Sequence, residues 1–214
     1  MKKTFLLFII WVSLTNCLNT KPFRPEENTK EYNETLCFAT YDENRYPKDT
    51  INTGPNDSLS LFENKWFSKH LNSMGELPIF SEKSKKDLRI VRYINLGTWS
   101  HPFIYRIEQV ERKTVKVFKQ TNGLGGYQPG RIIKEQDKII NSKIWDKIIL
   151  KANNIDFWNM PTHDSKYILD GEMWILEILI DGKYHIVTRN SPDHSGDEKF
   201  TELCKLVSKY TVEK

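Results

Sequence analysis

The chain has 214 residues, 38% of them apolar and 28% charged, and its 32 basic and 28 acidic side chains leave a formal net charge of +4. That balance creates neither a strong field nor a basic stripe, which speaks against nucleic acid as a partner. Six Trp, eleven Phe and nine Tyr are too many for a disordered chain and ample for the core of one domain, while the length leaves no room for several.

Lys2 and Lys3 precede an unbroken apolar run of eight residues, Phe5 to Val12, which is the layout of a secretory signal peptide. The run is too short for a bilayer, which takes about 20 apolar residues, and it gives way to Ser13, Thr15 and Asn16. Ordinary signal cleavage wants small residues before the cut, yet the first Ala is Ala39 and the first Gly is Gly54. The segment Leu14-Thr15-Asn16-Cys17 resembles the lipobox of bacterial lipoproteins, with Asn16 where that family commonly has Gly, Ala or Ser. The resemblance implies that residues 1–16 are a signal peptide that is removed. Cys17 then becomes the acylated first residue, carrying palmitate, and the protein is fastened to a membrane of the bacterial cell envelope. Leu18, rather than Asp, after the cysteine implies the outer membrane. A stable anchor of this kind needs two or more acyl chains, at ~0.8 kcal/mol per buried methylene. An uncleaved signal anchor and an unmodified Cys17 are the alternatives. Removal of residues 1–16 takes away Lys2, Lys3 and no acid, so the charge falls from +4 to +2.

Residues 17–56 are expected to form the lipid anchor and a polar tether, because they are rich in Asn, Glu, Thr, Lys, Pro and Asp and show little periodicity. As a flexible coil of ~40 residues the tether would hold a domain roughly 35 Å from its anchor. Within it, Leu36-Cys37-Phe38-Ala39 is apolar enough to dock on the domain. Export puts Cys37 and Cys204 in a disulfide-permissive compartment. A bridge between them would be worth about 4 kcal/mol in the chain-entropy model, and a buried core thiol at Cys204 is the other reading.

From residue 57 to 214 the patterns are those of one α+β domain. Leu59, Phe62, Trp66 and Phe67 recur at helical spacing up to Gly75. Three runs, 88–95, 101–110 and 113–120, alternate in a way that favours an antiparallel sheet with one wet face. The glycine-rich 121–131 lacks the Lys-Ser/Thr ending of a phosphate loop, and the strand-like 131–140 follows where a helix should start, so it reads as a turn between strands. Ser142 can cap a helix with Ile144, Trp145, Ile148, Ile149 and Ala152 on one stripe. Ser195-x-x-Glu198 reads as a capping box before a helix that carries Phe200, Leu203, Cys204 and Val207 on one face. The whole predicts a sheet of about five strands packed by two or three helices.

The strongest local signal is residues 173–189, two strands joined by Asp181-Gly182, a two-residue hairpin turn. That turn sets Ile178 opposite His185, Glu177 opposite Ile186 and Trp174 opposite Arg189. Side chains alternate between faces, so Glu177 shares a face with Tyr184 and Thr188, and a Glu177–His185 acid/base pair is excluded.

No pair among the five His has the His-x3-His spacing of a helical metal site, so no metal and no cofactor are expected. No Ser sits in a Gly-x-Ser-x-Gly turn. The one constellation left is Asp164, Asp170, Glu172, His185, Arg189, Asp193 and His194, whose loops leave the same open end of the hairpin. Asp170, His185 and Arg189 could converge there as acid/base groups or an anion clamp. The alternative is structural: Asp170-Gly171 forms a turn, Arg189 stacks on Trp174, and Ser195 or Asp197 caps the last helix.

Taken together, WFSKHLNSMGE, GGYQPG and LDGEMWILEILIDGKYHIVTRNSP, spread over 66–207, are similar to a group of uncharacterised bacterial proteins that share a Leu-Asp-Gly-x-x-Trp-x-Leu-Glu hairpin motif. The chain differs from that group in having Leu77 between Glu76 and Pro78 and Asn190 in place of a Trp. The resemblance brings no activity with it. The expected function is a non-catalytic, membrane-anchored binding or accessory lipoprotein with a protein partner in the envelope. An envelope enzyme using Asp170, His185 and Arg189, and a membrane-tethered immunity or inhibitor protein, are the alternatives.

Overall fold

The computed structural model describes residues 35–43, 54–110, 112–164, 166 and 168–209. Residues 1–16, Cys17 and most of the expected tether lie outside them. The fold is α+β. Six strands, β1 (Arg89–Gly97), β2 (Phe103–Val110), β3 (Lys113–Thr121), β4 (Ile132–Ile140), β5 (Glu172–Ile180) and β6 (Lys183–Asn190), form one antiparallel sheet. Its strand order is β4-β3-β2-β1-β5-β6. The helices are α1 (Leu61–Ser73), α2 (Ile144–Asn154), the single turn α3 (Pro192–Ser195) and α4 (Glu198–Lys209).

The β5–β6 register is the one that the Asp181-Gly182 turn dictates: Ile178 lies opposite His185, Glu177 opposite Ile186, and Trp174 opposite Arg189. Asp181 and Gly182 both take positive φ, as a tight hairpin turn requires. The sheet then separates two cores. On one face α2 and α4 bury Trp145, Ile148, Phe200, Leu203, Cys204 and Val207 against Val91, Tyr93, Leu176 and Ile178. On the other, α1 and the segment 35–40 bury Phe67, Leu71, Cys37 and Phe38 against Ile90, Ile94, Ile175 and Ile186.

Part of the expected tether therefore belongs to the domain. Cys37 and Phe38 are buried, and Thr40 bridges Leu59 in parallel, with the Tyr41 amide donating to the Leu59 carbonyl at 3.1 Å. This docking explains why α1 departs from its apolar pattern. Phe62, expected in the core, is 74% exposed, whereas Asn64 and Ser68 are buried. The Asn64 amide donates to the Phe38 carbonyl at 2.7 Å, and the Ser68 hydroxyl accepts from the Cys37 amide at 2.8 Å. Polar side chains face inward there because the neighbour is backbone that needs hydrogen-bond partners.

The bridge between Cys37 and Cys204 is not formed. Both thiols are free and buried, and they belong to cores on opposite sides of the sheet. The cap of α4 also differs from the sequence pattern. Ser195 ends α3, Gly196 breaks the chain direction at φ +82°, and Asp197 caps α4 through its carboxylate to the Phe200 amide at 3.4 Å.

The two sheet edges are treated differently. Along β6, residues 56–57 and 162 cover the edge: the Thr188 amide donates to the Thr162 carbonyl at 2.7 Å and the Ile186 amide to the Asp57 carboxylate at 3.3 Å. Along β4 no described strand pairs with the outer edge, and every residue of the strand but Ile140 is exposed.

Candidate functional site

The hairpin that fixes the register also carries the first buried polar feature. Glu177 on β5 and Arg92 on β1 are opposite each other, neither has exposed surface, and the guanidinium lies 2.6 Å from the carboxylate. Tyr184 donates to the other Glu177 oxygen at 2.9 Å, and Arg92 also donates to the Leu77 carbonyl at 2.9 Å. Glu76, just past α1, collects Arg92 at 3.3 Å, Arg106 at 3.1 Å and Lys119 at 2.9 Å. Burial would raise the Glu76 carboxyl, but those three cations, Arg92 foremost, hold it below the usual carboxylate range. Against the same burial, Glu177 and Glu76 push the Arg92 guanidinium further up. Every charge in this cluster has an opposite neighbour, which is what a structural network inside a fold requires.

The second feature is a cavity of about 480 Å³ on the α1 face, at the open end of the hairpin. Its walls come from Tyr41, the start of α1 (Ser60, Phe62, Glu63, Trp66), the end of β1 (Leu96, Thr98), the loop 163–171, and Met173, Thr188 and Asn190 of the hairpin. Ser60 and Glu63 form a capping box: the Ser60 hydroxyl accepts from the Glu63 amide and the Glu63 carboxylate accepts from the Ser60 amide. The same carboxylate faces His163 Nδ1 at 3.6 Å, while His163 Nε2 donates to the Ser58 carbonyl at 3.1 Å. Burial acts to raise the Glu63 carboxyl, but His163 and Ser60 hold it below its ordinary value. Tyr41 packs edge-on against His163 at 6.2 Å between centroids.

At the mouth, Phe62 and Trp66 stand side by side, 6.3 Å between centroids, and Trp66 is anchored by donating its indole N–H to the Gly125 carbonyl at 2.8 Å. Gly125 is required for this. A Cβ on it would sit 2.6 Å from Leu96 Cα and 2.7 Å from the Gly97 nitrogen, so the glycine-rich stretch is a loop pressed onto β1 rather than a phosphate cradle. Beyond the Phe62–Trp66 ridge lies a second hollow of about 450 Å³ bordered by Lys65 and Lys69.

Asp170, His185 and Arg189 do not come together. Asp170 is exposed in a turn at φ +57° and lines the cavity, whereas His185 and Arg189 project to the α4 face. His185 Nδ1 donates to the Asp57 carboxylate at 2.7 Å, its Nε2 faces the Met160 carbonyl at 2.9 Å, and its ring packs against Phe157. Arg189 donates to Asp197 at 3.1 Å and to the Pro161 and Thr188 carbonyls at 3.0 and 2.7 Å. It lies over Phe200 rather than over Trp174, at 5.6 Å. Glu172 accepts from Asn95 at 2.9 Å and from Trp174 at 3.2 Å. Asp193 and His194 face each other at 3.7 Å on α3. Of the seven residues, only Asp164 and Asp170 reach the cavity. The sheet itself divides them from His185 and Arg189, because β6 alternates and its odd-numbered side chains point away.

Glu63, His163, Phe62 and Trp66 were not candidates from sequence. The Ser60-x-x-Glu63 spacing is a capping-box signal that could have drawn attention to one of them; the contacts of His163 with Glu63, Ser58 and Tyr41 join residues 100 or more positions apart. Among the described residues, no group of three or more His, Cys, Asp or Glu side chains is placed to hold a metal ion, and no helix is long and apolar enough to cross a membrane. No protein-family model matches the chain, and no curated protein is significantly similar to it.

Proposed function

We propose that this chain is a lipid-anchored lipoprotein of the bacterial envelope whose folded domain is a non-catalytic binding module with a protein partner, and that the cavity beside α1 is its recognition site. The observation that carries the reading is the cavity with Phe62 exposed at its mouth. A concave site with a few polar groups and an aromatic rim is the usual form of a ligand site, and an exposed aromatic beside it is the usual form of an interface anchor. The polar groups around the cavity are mostly engaged in holding the fold, as with Thr188 to the Thr162 carbonyl and Thr98 to the Gly171 carbonyl. That suits recognition better than proton transfer. The residues Lys2 to Cys17 support the anchor.

Two measurements test this. The N-terminal peptide of protein isolated from its own cells, with palmitate labelling in parallel, should begin at acylated Cys17; an unlabelled chain retaining residues 1–16 sinks the anchor. A photo-crosslinking residue at Phe62 in intact envelopes should yield one reproducible adduct that the same residue at Ile139, exposed on the far edge strand, does not. Equal or absent crosslinking at the two positions removes the cavity from the recognition surface.

A further inference from the structure

The groups that line the cavity differ in how much hydrogen-bonding capacity they still offer. Its donors are mostly engaged inside the protein. Lys166 Nζ donates to the Ser195 carbonyl at 2.7 Å, His163 Nε2 to the Ser58 carbonyl at 3.1 Å, Asn190 Nδ2 to the Ile168 carbonyl at 3.2 Å, and the Trp66 indole to the Gly125 carbonyl at 2.8 Å. Two of its carboxylates keep capacity. Among the described residues no hydrogen bond or ion pair engages the Asp170 carboxylate. Asp164 uses one oxygen, Oδ1, to accept from the Lys166 amide at 3.1 Å. The charge has the same sense: Glu63, Asp164 and Asp170 line the cavity, and Lys166, with its head turned to Ser195, is the one Lys or Arg among the described lining residues. Apolar and aromatic surface from Phe62, Trp66, Leu96 and Met173 completes the wall.

We infer that the cavity accepts a primary ammonium or guanidinium group carried on an apolar stem, the chemistry of a lysine or arginine side chain on a partner peptide. The head group donates to Asp170 and the free oxygen of Asp164, and the stem runs along the Phe62 and Trp66 rings. A cation beside an aromatic face gains a further attraction there, and charge-assisted hydrogen bonds are the strong ones. The ridge also sets the direction of entry. Lys65 and Lys69 border the hollow on its other side, so a cationic head is repelled from that hollow and attracted into this one. This rests on the reading of the cavity as the recognition site and specifies what it recognises.

The test uses the full chain in detergent micelles and follows the Trp66 indole N–H resonance, assigned by its loss in Trp66→Phe. The probes are the acetyl, methylamide derivatives of arginine and lysine, their neutral counterparts from citrulline and norleucine, and cadaverine. Arginine or lysine derivatives are expected to shift the resonance saturably and the neutral ones not. Asp170→Asn should weaken binding by at least about tenfold, the effect of losing one charge-assisted hydrogen bond. Asn tolerates the left-handed turn that Asp170 occupies, so this variant keeps its fold. Stronger binding of the amino-acid derivatives than of cadaverine assigns the site to a peptide-borne cation, and the reverse assigns it to free diamines. Equal shifts from the charged and neutral probes, or no saturable shift from any, overturn the inference. Crosslinking at Phe62 in the envelope is carried out without these probes, so the wider binding reading stands or falls separately.

Discussion

Arg92 and Glu177 meet at 2.6 Å in the middle of the sheet, both completely shielded from solvent, with Tyr184 donating to the carboxylate from the neighbouring strand. Two charges in such a place are stable only as a set, because each replaces the water the other lost. Among the described residues Arg92→Met leaves Glu177 with Tyr184 as its one remaining donor, and it should cost about 3–5 kcal/mol of unfolding free energy. In Arg92→Met/Glu177→Leu the second change should recover most of that loss. Urea unfolding of the two variants checks both statements, and a double variant no more stable than Arg92→Met would show that the pair does not act as a unit.

Acid should loosen the α1 face first. Asp57, Glu63 and Glu76 all have carboxyls held below their ordinary values: burial opposes this in each, and His185, His163 and Arg92 respectively are the leading groups that outweigh it. A carboxyl depressed in the folded state contributes stability that is complete above the unfolded value, about pH 4–4.5, and lost as pH falls through the folded value. His70 on α1 is fully buried, and burial holds the pKa of its ring down to about 3 in the fold, so the unfolded chain takes up that proton first. The urea midpoint should therefore begin to fall below about pH 6.5 and fall more steeply below about pH 4.5. Glu76→Gln should lower the midpoint at neutral pH and flatten its fall in acid. A midpoint that rises on acidification contradicts the role given to these carboxylates.

The two described cysteines should behave as core atoms. Burial raises the Cys37 thiol and raises that of Cys204 well above its usual range, and the thiolate is the reactive form. Alkylation of the native protein followed by peptide mass analysis should find both unmodified, with full modification in denaturant. A reductant should leave the melting temperature where it was. Rapid native labelling of either residue would show that its core is open.

Gly125 should tolerate no side chain. In Gly125→Ala the new Cβ meets the backbone of Leu96 and Gly97, which cannot turn aside as a side chain would. Overpacking of this kind costs about 1–3 kcal/mol. The loop must also lift from β1, so the Trp66 indole bond to the Gly125 carbonyl should lengthen, and the Trp66 N–H resonance and its solvent exchange report that directly. An unchanged resonance would mean that the loop does not hold Trp66.

The parts of this architecture that sequence reveals are those that local chemistry dictates. Asp181-Gly182 can make only a tight hairpin turn, so the pairing of Glu177 with Ile186 and the common face of Glu177 and Tyr184 were legible from the spacing alone. β4 was the weakest of the strands to read because Ile140 is its one buried residue, and without a core on one side alternation has nothing to record. Phe62 and Asn64 exchange the environments that helical periodicity assigns them, since α1 packs against residues 37–40 as well as against the sheet. The separation of Asp170 from His185 and Arg189 follows from strand alternation, but the loop that carries Asp170 has no periodicity to say which face it joins. The cavity was invisible for a simpler reason: its walls come from five separate stretches between Tyr41 and Asn190.

The open edge strand β4, Ile-Ile-Lys-Glu-Gln-Asp-Lys-Ile-Ile, has the same order of residue classes read from either end. A second copy laid antiparallel on that edge, about a two-fold axis normal to the sheet, pairs residues of the same face. With Gln136 on the axis, Lys134 meets Lys138 of the other copy and Glu135 meets Asp137. Slipping by one pair puts Glu135 against Glu135, or Asp137 against Asp137. Like charges directly opposite are destabilising, so the strand repels its own image in each of these registers, although its backbone is free to pair and isoleucines flank the charges. Exchanging the sequence at two positions should remove that protection: Asp137→Lys/Lys138→Glu turns both mismatches into attractions, and sedimentation velocity should find this variant dimeric and the natural chain monomeric. A mirror-like strand is thus a means of staying single.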